Sequence, residues 1–551
     1  MKKNKRPTPK KAPVKKASPA KSAKPAPKKV AKVAKAAKAP KVAKAPKVSK
    51  PPKAAKVPKA AKAPKAAKAP KAPKAPKVSA EPKPRGGAPI AAWDDDPESG
   101  LKFEKRPAPT LSLVPLPLEI SGVAPKAALY PVGTANFRYW TAADALRRAK
   151  EFWKTHLPEG SAWHEGVTLA VHLDAGQDLN AYYDRKSLSF FHGNVKGKTI
   201  YTGESADIVC HEFGHAVLDS LRPDLWDASL DEVAAFHEAF ADISAILSSL
   251  QLPSVRAAVL KETGGRIWQN TLLSRIAEQF GKAIHAINPH SAPADCLRNA
   301  VNSFFYADPM HLPPSAPDSS LSSEPHSFSR VFTGGFFEAM SGMLKTISEK
   351  PTDADLLTLA HDAGALLTKA VRGAALSAAF YSEIAAQIIW ADTALFEGKY
   401  DEALRSAFVR RGLLSLEAAR SLKAEAARAV VTKPVAGDEM PRGRDMIMRA
   451  SAFGLTEGAL VVRTASFSRR GLIAPAAADT GSTPVPGVEQ ATQSFLETLF
   501  RRGRVDFSQI KPGVSSVGHT TVRRKTHYLV EHNGQFHLRR RCFDDGYEDW
   551  N

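Results

Sequence analysis

Cysteine is scarce: Cys210, Cys296 and Cys542 are the only three in 551 residues. At those separations they build neither a disulfide framework nor a thiolate zinc cluster. Long apolar runs are also missing. The best stretch, 378–395, is broken by Glu383, Gln387 and Asp392, short of the ~18 uninterrupted residues that a membrane-spanning helix needs. The basic start Met1-Lys2-Lys3-Asn4-Lys5-Arg6 is not followed by the apolar core of a signal peptide, so a cytoplasmic protein without a transmembrane segment is the expectation. Aromatic residues are absent before Trp93, and residues 1–85 contain a single acid, Glu81.

What those first 85 residues do contain is charge. They hold thirty lysines and arginines, whereas the other 466 residues carry 49 bases against 54 acids. The net charge of +24 therefore belongs to a tail built of Lys, Ala, Pro and Val. Such a composition buries too little to offset ordering entropy and predicts disorder. Its cations suit non-specific contact with nucleic acid or another polyanion through phosphate neutralisation, and the missing aromatics exclude base stacking. A solvated spacer is the alternative.

The 466-residue body is long enough for a large core. Residues 86–135 read as a Pro-rich linker containing Asp94-Asp95-Asp96. Apolar spacing predicts a helix over Ala142–His156 and strands over Val167–Leu173 and Ser187–Phe191. Helical patterns then dominate from Ser205 to Leu414. Further on come a strand at Ala459–Thr464, a helix at Gln490–Arg501, and a hairpin. In the hairpin His527–His532 and Gln535–Phe543 flank Asn533-Gly534, a type I′ turn signal.

Chemistry concentrates in Asp207-Ile-Val-Cys-His211-Glu212-Phe-Gly-His215. On a helix His211 and His215 stand one turn apart on one face, so both imidazoles can reach one zinc ion. Glu212 lies ~100° around the helix, which puts its carboxylate beside the ion and not on it. Further along, Glu238 and Asp242 are again one turn apart, among Val233, Phe236, Phe240, Ile243 and Ile246. One of these carboxylates can complete a His₂Glu set while the other accepts an imidazole N–H.

With these motifs, residues 137–414 resemble the gluzincin metallopeptidases of the thermolysin and fungalysin type. The segment Val171–Tyr183, with Asn180-Ala181, is similar to the family's edge strand, whose backbone binds extended substrate. Cys296-Leu297-Arg298 resembles the segment that supplies a carbonyl-contacting arginine. Glu324-Pro325-His326-Ser327 resembles the segment that carries a transition-state histidine. The resemblance implies an α+β fold of two lobes: an α/β lobe over 136–250 with a mainly antiparallel sheet and the zinc helices, and a helical lobe over 251–415. The tail 1–85, the linker 86–135 and an α+β extension 416–551 of unassigned role would flank them. One catalytic Zn²⁺ would be held by His211, His215 and Glu238. Glu212 would act as general base and His326 would stabilise the oxyanion. Asp242 and Glu324 would orient the histidines, and Asn180, Ala181 and Arg298 would bind a protein or peptide substrate. Ile208 and Leu297 match positions that line the pocket for the side chain after the scissile bond.

The sequence departs from the family in places. Ser229 stands at the offset of the usual oxyanion tyrosine, and Ser249 where a calcium-binding carboxylate would fall, so calcium dependence is not expected. No amine-anchoring G-x-M-E-N segment precedes the zinc motif, which favours an endopeptidase over an aminopeptidase. The rival reading is a catalytically inactive gluzincin-like protein that binds nucleic acid or a surface.

Overall fold

Alanines and aromatics recur at three- and four-residue spacing between Thr134, which caps Phe137 N–H with its hydroxyl, and Lys154. The resulting helix buries Trp140, Leu146, Phe152 and Trp153, and the later helices assemble around it. A computed structural model describes residues 88–429, 443–455, 457–465, 487–510 and 524–546. The basic stretch 1–85, read as a disordered tail, lies outside the described residues.

The fold is mixed α+β. Strands β1 (Pro89–Ala92) and β2 (Glu104–Pro107) pair with each other, and β3 (Leu118–Ile120) precedes α1 (Ala135–Lys154). Strands β4 (Leu169–His172), β5 (Ala181–Tyr183), β6 (Ser187–Phe190), β7 (His192–Val195) and β8 (Lys198–Tyr201) follow, then α2 (Ala206–Leu221), α3 (Asp231–Ser249) and α4 (Pro253–Thr263). The short pair β9 (Arg275–Ile276) and β10 (Arg298–Asn299) brackets α5 (Glu278–Ile287). Next come α6 (Pro325–Ile347), α7 (Asp353–Gly373), α8 (Phe380–Phe396), α9 (Asp401–Arg410) and α10 (Leu416–Ala429). The last part holds β11 (Arg444–Arg449), β12 (Ala459–Thr464), α11 (Val488–Arg501), β13 (Val505–Asp506), β14 (His527–His532), β15 (Gln535–Arg540) and β16 (Phe543–Asp544).

The first large sheet has the order β16-β5-β6-β4-β3. The expected predominance of antiparallel pairing is not seen, because β3/β4 and β4/β6 are parallel while β5/β6 and β16/β5 are antiparallel. The physical reason is the connections: α1 lies between β3 and β4 and supplies the crossover that parallel neighbours require, and the segment between β4 and β6 crosses over through β5. The hairpin differs too. Asn533 and Gly534 both have positive φ, as a type I′ turn demands. The second strand, however, stops at Arg540, and Phe543–Asp544 leaves to pair with β5.

Helices α2 and α3 lie unusually close because of one glycine. A Cβ on Gly214 would stand 2.7 Å from Ser244 Cβ and 2.9 Å from Ala241 Cα. Ser244 Oγ accepts from Trp153 Nε1 (2.9 Å) and donates to Cys210 O (3.1 Å), tying α1, α2 and α3 together. Cys210 is thus a small buried packing residue. A second apolar cluster joins Phe495, Leu496 and Leu499 of α11 to Leu460, Val462, Leu529 and Leu538. The sheet beneath α11, ordered β11-β12-β15-β14-β13, docks on the turn between α2 and α3. There Ser229 N–H donates to Arg463 O (2.8 Å), and Arg540 donates to Asp227 Oδ1 (2.9 Å) and Trp226 O (2.8 Å).

The acidic triplet of the stretch read as a linker is packed inside. Asp95 and Asp96 meet Asp207 of α2 and Glu278 of α5, and Ser249 Oγ donates to Asp95 at 3.4 Å. Burial, reinforced by mutual repulsion, pushes the Glu278 pKa to about 9 and that of Asp96 to about 6, and holds Asp207 well above the carboxylate range. In the unfolded chain these acids ionise near pH ~4, so the folded state keeps protons that the unfolded state has released. Stability should therefore fall as pH rises from about 4 through 9. Glu278→Gln, which cannot ionise, is expected to raise Tm over wild type by a margin of a few degrees that grows from pH 5 to pH 9. Calorimetry checks this, and a margin independent of pH would contradict it.

Candidate metal centre

Ser205 caps α2 by accepting from Ile208 N–H, and the helix then presents His211 and His215 toward α3 with ring centroids 4.8 Å apart. From α3, Glu238 Oε2 lies 3.4 Å from His211 Nε2 and 3.5 Å from His215 Nε2. A tetrahedral ion bonded at 2.0–2.1 Å separates its ligands by roughly 3.4 Å, so this donor spacing fits one zinc ion. All three residues are buried, and neither His211 Nε2 nor Glu238 Oε2 has a hydrogen-bond partner among the described residues. Their grouping as a potential metal site follows from the same closeness.

The remaining imidazole nitrogens are held from behind. His211 Nδ1 is 3.0 Å from Asp242 Oδ1, and His215 Nδ1 is 3.3 Å from His237 Nδ1. Arg298, carried on β10, clamps the same Asp242 oxygen at 2.8 Å. Gly281 lets α5 approach the backbone of Cys296 and Leu297, where a Cβ would meet Cys296 C at 1.9 Å. Arg298, expected at a substrate carbonyl, is thereby engaged with two carboxylates of its own chain: Asp242 and, at 2.9 Å, Asp545.

Glu212 is fully buried, with neither carboxylate oxygen hydrogen-bonded among the described residues. Burial, then the charge of Asp545, raises its pKa well above the usual value. His326, at the start of α6, points Nε2 to within 3.3 Å of Glu238 Oε2 and has Nδ1 2.8 Å from Glu324 Oε1. Burial opposes charge on His326, but Glu238 and Glu324 overcome it and raise its pKa well above 6.5. For His211 burial is likewise outweighed, by Asp545, Asp242 and Glu238, so that its pKa reaches about 10. Glu238 is driven the other way: His326 and His215 overcome burial and hold it well below the carboxylate range. This surplus of carboxylates around few fixed cations suits a divalent ion.

Asn180 and Ala181 sit beside this cluster. Asn180 O accepts from Thr202 Oγ1 (2.8 Å), and Ala181 O accepts from Asp545 N–H (2.9 Å). Ile208 is buried, while Leu297 borders a cleft of ≈ 130 Å³ with Arg298, Glu324, His326, Arg502 and Asp545. Ser229 is occupied at the docking seam by Arg463 O. The sequence reading gave no role to four residues: His237, Asp545, Asp95, which meets Ser249, and its neighbour Asp96. Their signals were slight, namely a histidine next to Glu238, an acidic pair after an arginine-rich strand, and an acidic triplet among prolines.

Residues 138–219 match the family model of the thermolysin metallopeptidase catalytic domain. That span runs through α1 and most of α2, includes His211, Glu212 and His215, and supports a thermolysin-like gluzincin metallopeptidase. No curated protein matches the chain.

Removing an orienting group should loosen the ion before it disturbs the fold. Asp242→Asn is expected to weaken zinc affinity by about 10–100-fold, read by competition with a chromogenic chelator. Unchanged affinity would detach Asp242 from the site.

Proposed function

We propose that this thermolysin-like metallopeptidase is a zinc-dependent endopeptidase. The observation that carries the reading is the spacing of His211 Nε2, His215 Nε2 and Glu238 Oε2, at 3.4–3.5 Å from the carboxylate to each imidazole, with the Glu212 carboxylate uncommitted beside them. His211, His215 and Glu238 would hold the zinc, which when bound would supply a Lewis acid for the scissile carbonyl and the attacking water. Glu212, in its ionised form, would take a proton from the attacking water, and its raised pKa suits passing that proton on to the leaving amine. His326, oriented by Glu324 and held protonated, donates to the developing oxyanion. Asn180 and Ala181 offer backbone groups to an extended peptide, and Leu297 gives the adjoining cleft an apolar wall.

In this reading residues 136–250 form the α/β lobe, 251–415 the helical lobe, and 416–551 a further α+β part. One zinc ion is the cofactor, and calcium is given no part in catalysis. The tail 1–85 holds the enzyme to a polyanion, and a cytoplasmic setting goes with that use. Nothing favours the inactive binding module over the enzyme.

Glu212→Gln should keep its zinc yet lose casein cleavage by about 10²–10⁴-fold, and His326→Phe should lower kcat by about 10²–10³-fold. Wild type without zinc, or Glu212→Gln as active as wild type, would sink the enzymatic reading. For the tail, DNA affinity should drop steeply between 50 and 200 mM salt and vanish on deleting residues 1–85. Salt-insensitive binding would exclude an electrostatic anchor.

A further inference from the structure

The acid that the sequence reading overlooked occupies the most consequential position in the molecule. β16 pairs antiparallel with β5, Phe543 opposite Tyr183 and Asp544 opposite Tyr182. Asp545 N–H continues the ladder onto Ala181 O at 2.9 Å. Without β16, β5 would be the free edge of its sheet, next to the metal donors. The buried Asp545 carboxylate reaches past that edge. Its Oδ2 is 3.6 Å from His211 Nε2, and its Oδ1 is 3.4 Å from His326 Nε2 and 2.9 Å from Arg298 Nη1. It falls within 4.8 Å of ligand atoms from two overlapping groups, His211 with Glu212 and Glu238 with His326.

The rest of the strand is fitted to the same place. Phe543 stacks on His237 (4.0 Å between centroids, 17° between planes) and on His215 (5.0 Å, 16°). Arg540, anchored on Trp226 and Asp227, also lies over the Phe543 ring at 4.0 Å. The C-terminal sheet thus grips the turn between the two metal-binding helices and feeds a strand from that grip into the cleft.

We propose that Asp545 is a fourth ligand to the metal, delivered by the chain's own C-terminal strand, and that this strand holds the peptidase closed by lying where a substrate strand must lie. The inference rests on the metallopeptidase reading for the identity of the ion. A carboxylate there takes the position that water and the scissile carbonyl need, the β5 edge is used up, and His326 and Arg298 are both engaged. Opening requires residues 542–546 to leave the cleft, while Arg541 can stay bonded to Thr526 and Asp506. An extended peptide competes for the same edge.

Three forms of the full protein test this: wild type, Asp545→Ala, and a chain ending at Arg541, each loaded with zinc or with cobalt as a spectroscopic substitute. Both variants should release zinc to a chelator faster than wild type and change the visible absorption of the cobalt form, since a carboxylate ligand is exchanged for solvent. Both should also cleave an extended peptide about tenfold faster or more, the least change expected if closed molecules outnumber open ones ten to one. A synthetic peptide of residues 541–551 should inhibit the shortened chain at about millimolar concentration, matching the local concentration lost with the tether. Identical cobalt spectra and zinc release in all three forms would overturn the fourth-ligand assignment, whatever the activity. If the spectra change but no form cleaves peptide, the ligand stands and the peptidase reading falls. Faster cleavage by the shortened chain alone, with Asp545→Ala like wild type in every measurement, would make the strand a steric cover and overturn the role of the carboxylate.

Discussion

One carboxylate oxygen, Glu238 Oε2, lies within 3.3–3.5 Å of three imidazole nitrogens, those of His211, His215 and His326. Buried charges at such distances persist only when each is matched, and much of the architecture serves that match. Gly214 lets α2 and α3 close to the separation at which one ion can join them. Arg298 neutralises Asp242 so that Asp242 can hold His211. Glu324, at the cap of α6, accepts from Ser327 N–H while it fixes His326. Loss of the close α2–α3 approach would disperse the donors however well each helix folded alone.

The parts of this site legible in the sequence are those written by helical periodicity. His211 and His215, or Glu238 and Asp242, are neighbours because a helix makes them so. Burial around Phe236 and Phe240 could also be read from spacing. The parallel pairings at β4 were hidden, because a four-residue strand states its face but not the direction of its partner. Asp545 was hidden for a deeper reason. More than three hundred residues separate it from His211, and no local pattern encodes an encounter across that distance. The acidic triplet at 94–96 was read only as part of a Pro-rich linker, because the partners of Asp95 and Asp96, Asp207 and Glu278, are supplied by the distant α2 and α5.

Two regions concentrate negative charge along α2, one turn apart. At the centre, Glu238 and Asp242 face imidazoles and Arg298, which favour their ionisation, while burial and Asp545 disfavour that of Glu212. One turn nearer the start of the helix, Asp95, Asp96, Asp207 and Glu278 crowd one another, with Arg148 giving relief to Asp95 and Arg275 to Glu278, and protons are retained. The same residue chemistry therefore does two kinds of work along one helix: one group is built to accept a cation, the other holds its protons above the usual carboxylate range. Asp207 and His211, one turn apart on α2, belong to different electrostatic worlds.

The grip of Trp226 and Asp227 on Arg540 has a kinetic meaning. Because that contact lies upstream of Cys542, the strand can peel from β5 while the sheet beneath α11 stays seated. Re-closure is then a first-order event whose rate is indifferent to how much protein is present. Dilution would not liberate such an enzyme, and crowding its own kind together would not silence it. Only what competes for the cleft, or cuts the short span beyond Arg540, would alter its state.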